Sequence, residues 1–322
     1  MCALFGWLDV QRIVPHKILK KLTQALANAA EERGTDASGI AYVKNGKVTI
    51  YKRPKPAHKL KFRVPEETKV VMGHTRLTTQ GNQKFNWNNH PFPGYADKQF
   101  AFAHNGVLYN DSTLRREKGL PGTPIETDSY VAVQLIEKQG VLDFNSLKSM
   151  AEEVHGSFTF TILDENNKLY FVKGSSPLYL IYFELLGLYV YASTESIVQK
   201  ALREAGLQKY AYEVISVFEG DILSVDQEGK MERAVYEVFQ YSVFSHLSAP
   251  YGDYYTGQEQ LLLEMCGCFG VDREDIILLL EYGYRAEEIE EMLMEGDVIT
   301  DAARALRYED TEFYNHLCRG VI

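Results

Sequence analysis

Cysteine is scarce in this chain, with four in 322 residues, at positions 2, 266, 268 and 318. So few thiols do not make a disulfide framework, and a soluble, cytoplasmic protein is the expectation. Long apolar runs are missing: no stretch approaches the roughly 18–20 uncharged apolar residues needed to cross a bilayer. The most apolar region, residues 177–193, carries Glu184 and Gly187 and reads as two strands. The first residues have neither a basic start nor a long apolar core, so no signal peptide is expected. Positive charge is also short. The formal charge of −10 argues against wholesale binding to a nucleic-acid backbone, which needs a basic footprint. What remains is ordinary globular material, 45% hydrophobic and 24% charged, which excludes disordered, collagen-like and coiled-coil classes.

The charge is unevenly placed. From Tyr251 onward there are 17 acidic residues and 5 arginines, net −12, and the last lysine is Lys230; the first 250 residues hold 29 basic and 27 acidic, net +2. Ser245, Ser248, Pro250, Gly252 and Gly257 break any regular pattern at that transition. Two domains are expected, residues 2–245 and an acidic helical domain over 251–322.

Residues 15–32 carry Ile18, Leu19, Leu22, Leu26 and Ala29 at helical spacing. Strand-like runs follow at 39–43, 48–53, 70–75 and 100–103. Residues 127–138 and 147–154 read as helices, and strands return at 157–164, 169–173, 178–184 and 188–192, punctuated by Asn166-Asn167, Gly174 and Gly187. Strands bunched at both ends with helices between them imply an α+β fold of stacked sheets with helical outer layers. In the tail, 257–269, 273–282, 286–295 and 301–307 have helical periodicity. Asp272 and Thr300 stand where N-caps belong, and Gly270, Gly283 and Gly296 where helices stop.

Cys2 is a candidate nucleophile. Removal of Met1 would leave its thiol beside its own α-amine, which titrates near 7.7–8.0 and can accept the thiol proton. Alone, a cysteine at position 2 is usually incidental. It is followed, in order, by Glu32-Arg33-Gly34-Thr35-Asp36, Gly73-His74-Thr75-Arg76-Leu77-Thr78-Thr79-Gln80-Gly81, Asn89-His90-Pro91-Phe92, Ala103-His104-Asn105-Gly106 and Glu126-Thr127-Asp128. This ordered set resembles the N-terminal-nucleophile glutaminase domain of class II glutamine amidotransferases, most closely the glutaminase half of glucosamine-6-phosphate synthase. Through Gly174-Ser175-Ser176-Pro177, Ala192-Ser193-Thr194-Glu195 and Glu219-Gly220-Asp221 it covers roughly residues 2–240.

The resemblance implies a four-layer αββα sandwich and hydrolysis of L-glutamine to glutamate and ammonia through a cysteine thioester, with no cofactor and no metal. Residue types fit the roles it implies. Arg76 offers a planar fork for the α-carboxylate, Thr79 a hydroxyl donor, and Asp128 an anion for the ammonium; alone, Asp128 would read as a helix N-terminal carboxylate. Asn105 and Gly106 would supply a side-chain amide and a backbone N–H to an oxyanion, although Asn-Gly is also a common tight turn. Arg33 and Asp36 are expected to fix the loops around Cys2, and His74, His90 and His104 to hydrogen-bond locally. Leu77, where the family usually has an aromatic residue, and Gln80, where many synthases have histidine, depart from the pattern in the loop expected to close over glutamine.

The family's synthase domains do not fit in the last 70 or so residues, so a free-standing glutaminase is expected. Its acidic helical tail either covers its own site, docks a separate acceptor enzyme that consumes the ammonia, or is a merely solvated acidic bundle. Residues 275–294 resemble a ubiquitin-associated-type module by analogy. Two alternatives stay open. A cysteine N-terminal-nucleophile amidase on another amide would lack the Arg76, Asn105-Gly106 and Asp128 set, and a glutamine sensor would follow if Met1 were retained and blocked the amine.

Overall fold

The computed structural model describes residues 2–238, 259, 262–263, 266–294 and 299–307. The expected tail helix over 257–269 falls largely outside them, and Met1, the 240–257 transition, Gly296 and Cys318 lie wholly outside. The chain divides into two compact units, Met1–Phe239 and Gln240–Ile322.

The first unit is built on two antiparallel sheets. One runs β11 (Glu213–Ile215), β9 (Tyr179–Phe183), β10 (Leu188–Ala192), β1 (Ala3–Asp9), β4 (Val70–Arg76), β2 (Ala37–Lys44) and β3 (Lys47–Arg53). The other runs β13 (Met231–Val235), β12 (Asp221–Val225), β8 (Leu169–Lys173), β7 (Gly156–Asp164), β6 (Gln99–Leu108) and β5 (Phe92–Tyr95). Helices α1 (His16–Ala29) and α5 (Glu195–Ala205) cover the outer face of the first sheet, where Leu19, Leu22, Leu26, Val198 and Leu202 pack on Phe5, Trp7 and Val190. Helices α3 (Tyr130–Gln139) and α4 (Phe144–Glu153) cover the second sheet, their Ile136, Leu147 and Met150 packing on Phe102, Phe160 and Ile162. A third core of Leu4, Leu8, Met72, Ala101, Ala103, Leu163 and Phe171 fills the space between the sheets. The result is the four-layer αββα sandwich.

Period-2 alternation explains the layering. On β1, Phe5 and Trp7 face helices while Leu4 and Leu8 face the other sheet, so the strand is apolar throughout. The first expected helix ends earlier, at Ala29, and a 3-10 turn over Ala30–Arg33 finishes the segment. Helix α4 starts earlier than periodicity implied, because the Asp143 and Ser146 side chains form a reciprocal cap. A short helix α2 (Asp111–Glu117) precedes α3.

In the second unit, α6 (Arg273–Glu281) and α7 (Ala286–Met294) close a small core of Leu262, Leu263, Ile276, Leu279, Ile289, Leu293 and Ile299. Gly270 and Gly283 have φ of +70° and +89°, where a helix stop needs them. Asp272 precedes α6 without a side-chain cap bond, and Thr300 lies inside a helical turn instead of ahead of it. No helix among the described residues is long and apolar enough to cross a membrane.

Candidate active site

The layer between the sheets is apolar until it turns polar at one end, and the same alternation that builds the core builds the site. On β4 the inward positions run Val70, Met72, His74, Arg76; on β1 Leu4 is preceded by Cys2; on β6 Ala101 and Ala103 are followed by Asn105. Register brings these ends together on the first sheet. Ala3 pairs with Thr75 and Leu4 with His74, which carries Cys2 towards Arg76. The second sheet is tied on by His74, whose Nε2 lies 2.9 Å from the His104 carbonyl.

Cys2 is held from two sides. Arg33 Nε donates to its carbonyl at 2.9 Å, and its own Sγ–H donates to the Leu77 carbonyl at 3.4 Å. Burial pushes the thiol above its ordinary pKa, against the pull of the Leu77 contact and the nearby Arg76 charge. Asp36 fixes the turn beyond β4: its N–H donates to the Arg76 carbonyl at 2.9 Å, and its carboxylate accepts from Thr78 N–H at 2.8 Å. Position 77 meets Cys2 through a backbone oxygen, which any residue there would supply.

Arg76 is 3% exposed. Its fork is not open. Nη1 donates to Asn89 Oδ1 at 2.7 Å, and Nη2 donates to the Gln80 carbonyl and, at 3.1 Å, to the Gly81 carbonyl. Burial lowers its pKa, opposed by the charges of Cys2, Asp128, Asp36 and Glu126. Thr79 is half-buried in the same loop. Asp128, buried, accepts from Leu108 N–H at 2.6 Å and from Ser129 Oγ at 3.3 Å, and Ser129 Oγ lies 2.8 Å from His104 Nδ1.

Asn105 and Gly106 do not form a turn. They lie within β6, paired with Thr159 and Phe158 on β7. Gly106 has φ +138°, and a Cβ there would stand 1.9 Å from the Ser157 carbonyl oxygen, so only glycine fits. Asn105 is fully buried, yet neither Nδ2 nor Oδ1 has a hydrogen-bond partner among the described residues. An unpaired buried amide is costly and marks either a strained position or a place for a ligand.

The three histidines differ. His74 and His104 hydrogen-bond locally, but His90 has no partner for either ring nitrogen and is held by rings instead, 4.3 Å from His74 and 4.2 Å from Phe92. Burial is the leading cause of lowered pKa values in all three, to about 3 for His74 and well below the usual range for His90, so they are neutral near pH 7. No group of three or more His, Cys, Asp or Glu suited to a metal occurs among the described residues.

The structure thus ties Cys2 to Arg33 and the Leu77 carbonyl, Asp36 to Arg76 and Thr78, and His90 to His74, with Arg76 and Asp128 near enough to Cys2 to act on its charge. Thr79 follows Arg76 in the loop, and Asn105 lies on the inward series of β6. Sequence reasoning gave no role to Asn89, Ser129 or Lys52, whose Nζ donates to the Asn89 carbonyl. A signal existed for Lys52: it continues the inward series Val48, Ile50 on β3. Arg76 and Asp128 set a cation and an anion near the Cys2 thiol, with the Arg76 fork closed by Asn89 and the Gln80 and Gly81 carbonyls.

Residues 74–200 match the family model described as a glutamine amidotransferase domain. Among curated proteins, 7-cyano-7-deazaguanine synthase 2 of Sulfurisphaera tokodaii is 28% identical over 227 residues, 67% of this chain and 48% of the relative. Glutamine–fructose-6-phosphate aminotransferase of Bacillus cereus is 35% identical over 186 residues, 55% of this chain and 30% of the relative. The Staphylococcus aureus enzyme of that name is 29% identical over 248 residues, 72% and 38%. The chain therefore spans less than half the length of each of these relatives. Glutamine phosphoribosylpyrophosphate amidotransferase from B. subtilis shares the fold at a TM-score of 0.56 and 20% identity, covering 74% of this chain and 50% of that one. An allosteric regulatory enzyme of purine biosynthesis does so at 0.57 and 21%, with the same coverage.

Proposed function

We propose that this chain, which over residues 74–200 matches a glutamine amidotransferase domain, is a class II enzyme of that kind and hydrolyses L-glutamine to glutamate and ammonia through a γ-glutamyl thioester on Cys2. Loss of Met1 frees the α-amine, which takes the Sγ proton. The thiolate adds to the side-chain amide carbon of glutamine, and the resulting oxyanion accepts hydrogen bonds from Asn105 Nδ2 and Gly106 N–H. Collapse breaks the C–N bond; the nitrogen takes the stored proton and leaves as ammonia. Water, deprotonated by the same amine, adds to the thioester, and glutamate departs as the thiol re-forms.

The observation that carries this reading is the buried, unpartnered Asn105 amide, which follows Ala101 and Ala103 on the series of β6 that faces the sheet of Cys2. Arg76 and Asp128, both buried and both within electrostatic reach of Cys2, would hold the α-carboxylate and α-ammonium. For the fork to take a carboxylate, the Gln80 and Gly81 carbonyls must give up their bonds to Nη2, so glutamine entry and movement of the 77–81 loop are one event. Thr79 on that loop then donates to the carboxylate. The ammonia passes to a synthase acceptor, and the carboxylates of the acidic helical unit suit a basic surface on such a partner. Glutamate release from glutamine by wild type and by Cys2→Ala tests the proposal: release must disappear in the variant, and release that survives refutes the nucleophile.

A further inference from the structure

One member of the polar end of the inter-sheet layer has no part in that chemistry. Lys52, half-buried on β3, shares a cross-strand row with Gly39 and His74. Gly39 lets the next segment in: a Cβ there would lie 2.5 Å from the His90 carbonyl oxygen and 2.7 Å from Lys52 Cβ. Residues 89–91 therefore cross the bare glycine within reach of the lysine.

Lys52 holds this segment at two points. Its Nζ donates to the Asn89 carbonyl, and its own carbonyl accepts from Asn86 Nδ2 at 3.0 Å. The ammonium also stands 5.0 Å from the centre of the Phe92 ring. Asn89 is then oriented without ambiguity. Its Nδ2 donates to the Gln83 carbonyl at 2.8 Å, which leaves Oδ1 to accept from Arg76 Nη1 at 2.7 Å.

We infer that Lys52 is a positioning residue for the substrate-carboxylate clamp, fixing Asn89 by its carbonyl so that Asn89 fixes the Arg76 guanidinium. The inference rests on the reading of Arg76 as that clamp. A cation here is costly, since burial and the Arg76 charge bring the Lys52 pKa down to about 7. An unbranched apolar side chain could cross the same space without that cost, so what the lysine adds is the bond its ammonium makes.

The test uses the full chain and compares wild type, Lys52→Met and Lys52→Arg. Lys52→Met should raise KM for glutamine about tenfold, the worth of one charge-assisted hydrogen bond, with kcat within about twofold. Alkylation of Cys2 by iodoacetamide, which needs no carboxylate clamp, should keep the wild-type rate, and Lys52→Arg should restore KM. A Lys52→Met KM within about twofold of wild type overturns the inference. So does a parallel fall in kcat and iodoacetamide reactivity that Lys52→Arg does not restore, because the lysine then serves folding alone. A wild-type chain silent towards glutamine removes the glutaminase reading and this role with it, whereas an active wild type beside an unchanged Lys52→Met removes only the latter.

Discussion

Asn105→Leu should separate stability from catalysis and move them in opposite directions. The native amide is fully buried with both polar atoms unpartnered, and each unsatisfied buried group costs about 1–3 kcal/mol. Leucine has the same branched outline with bulkier methyl tips, and overpacking of that kind costs about 1–3 kcal/mol. Relieving both polar atoms outweighs overpacking at one site, so the balance favours the variant by about 1–2 kcal/mol, which for a domain of this size is about 2–8 °C in Tm. The same substitution deletes one oxyanion donor, so kcat for glutamine hydrolysis should fall about 10²–10³-fold with little change in KM. Calorimetry on the purified variant beside a coupled glutamate assay measures both. A Tm lowered by about five degrees with kcat within about threefold of wild type would refute the reasoning, since the amide would then have a structural partner and no transition-state role.

Arg76→Lys should raise KM for glutamine at least about tenfold with a smaller effect on kcat, because an ammonium cannot reproduce the planar fork; an unchanged KM removes Arg76 from the clamp. Asp9, 3% exposed, has its carboxyl raised by burial from 3.8 to about 6. The folded state therefore holds a proton that the unfolded chain has lost between about pH 4 and 6, and the stability this gives below pH 4 disappears as pH rises through 6. Asp9→Asn, which keeps the oxygen that accepts from Arg12 N–H at 3.0 Å, should raise Tm at pH 8 and leave it unchanged at pH 4; equal effects at both pH values contradict this. Cys2, raised by burial, should give a kcat/KM that falls as pH drops below neutral, and a profile flat from pH 6 to 8 would oppose a buried thiol as the reacting group.

Much of the fold was legible where runs rich in β-branched and aromatic residues stand between turn residues. Residues 39–43, 48–53 and 157–164 carry the inward and outward series that β2, β3 and β7 display. Strand β1 was not, since both its faces are buried and its residues show no period. Strands β11 and β13 escaped for the opposite reason: they are short, exposed edges whose pairing comes from neighbours far along the chain. The site residues were visible as motifs, but their use was not. Asn105-Gly106 reads locally as a turn and becomes strand only because β7 pairs with it. The link from Lys52 through Asn89 to Arg76 depends on which residue lies opposite Gly39, and a one-residue slip in register would abolish it.

The central claim is that Cys2, freed of Met1, forms a bond to the γ-carbonyl of glutamine. Acid-quenching the enzyme during turnover and weighing its first peptide tests it directly. The account predicts a peptide beginning at residue 2 and carrying a glutamyl group on sulfur, released by hydroxylamine and missing from Cys2→Ala. A peptide that keeps Met1 and stays unmodified while glutamate accumulates would contradict it.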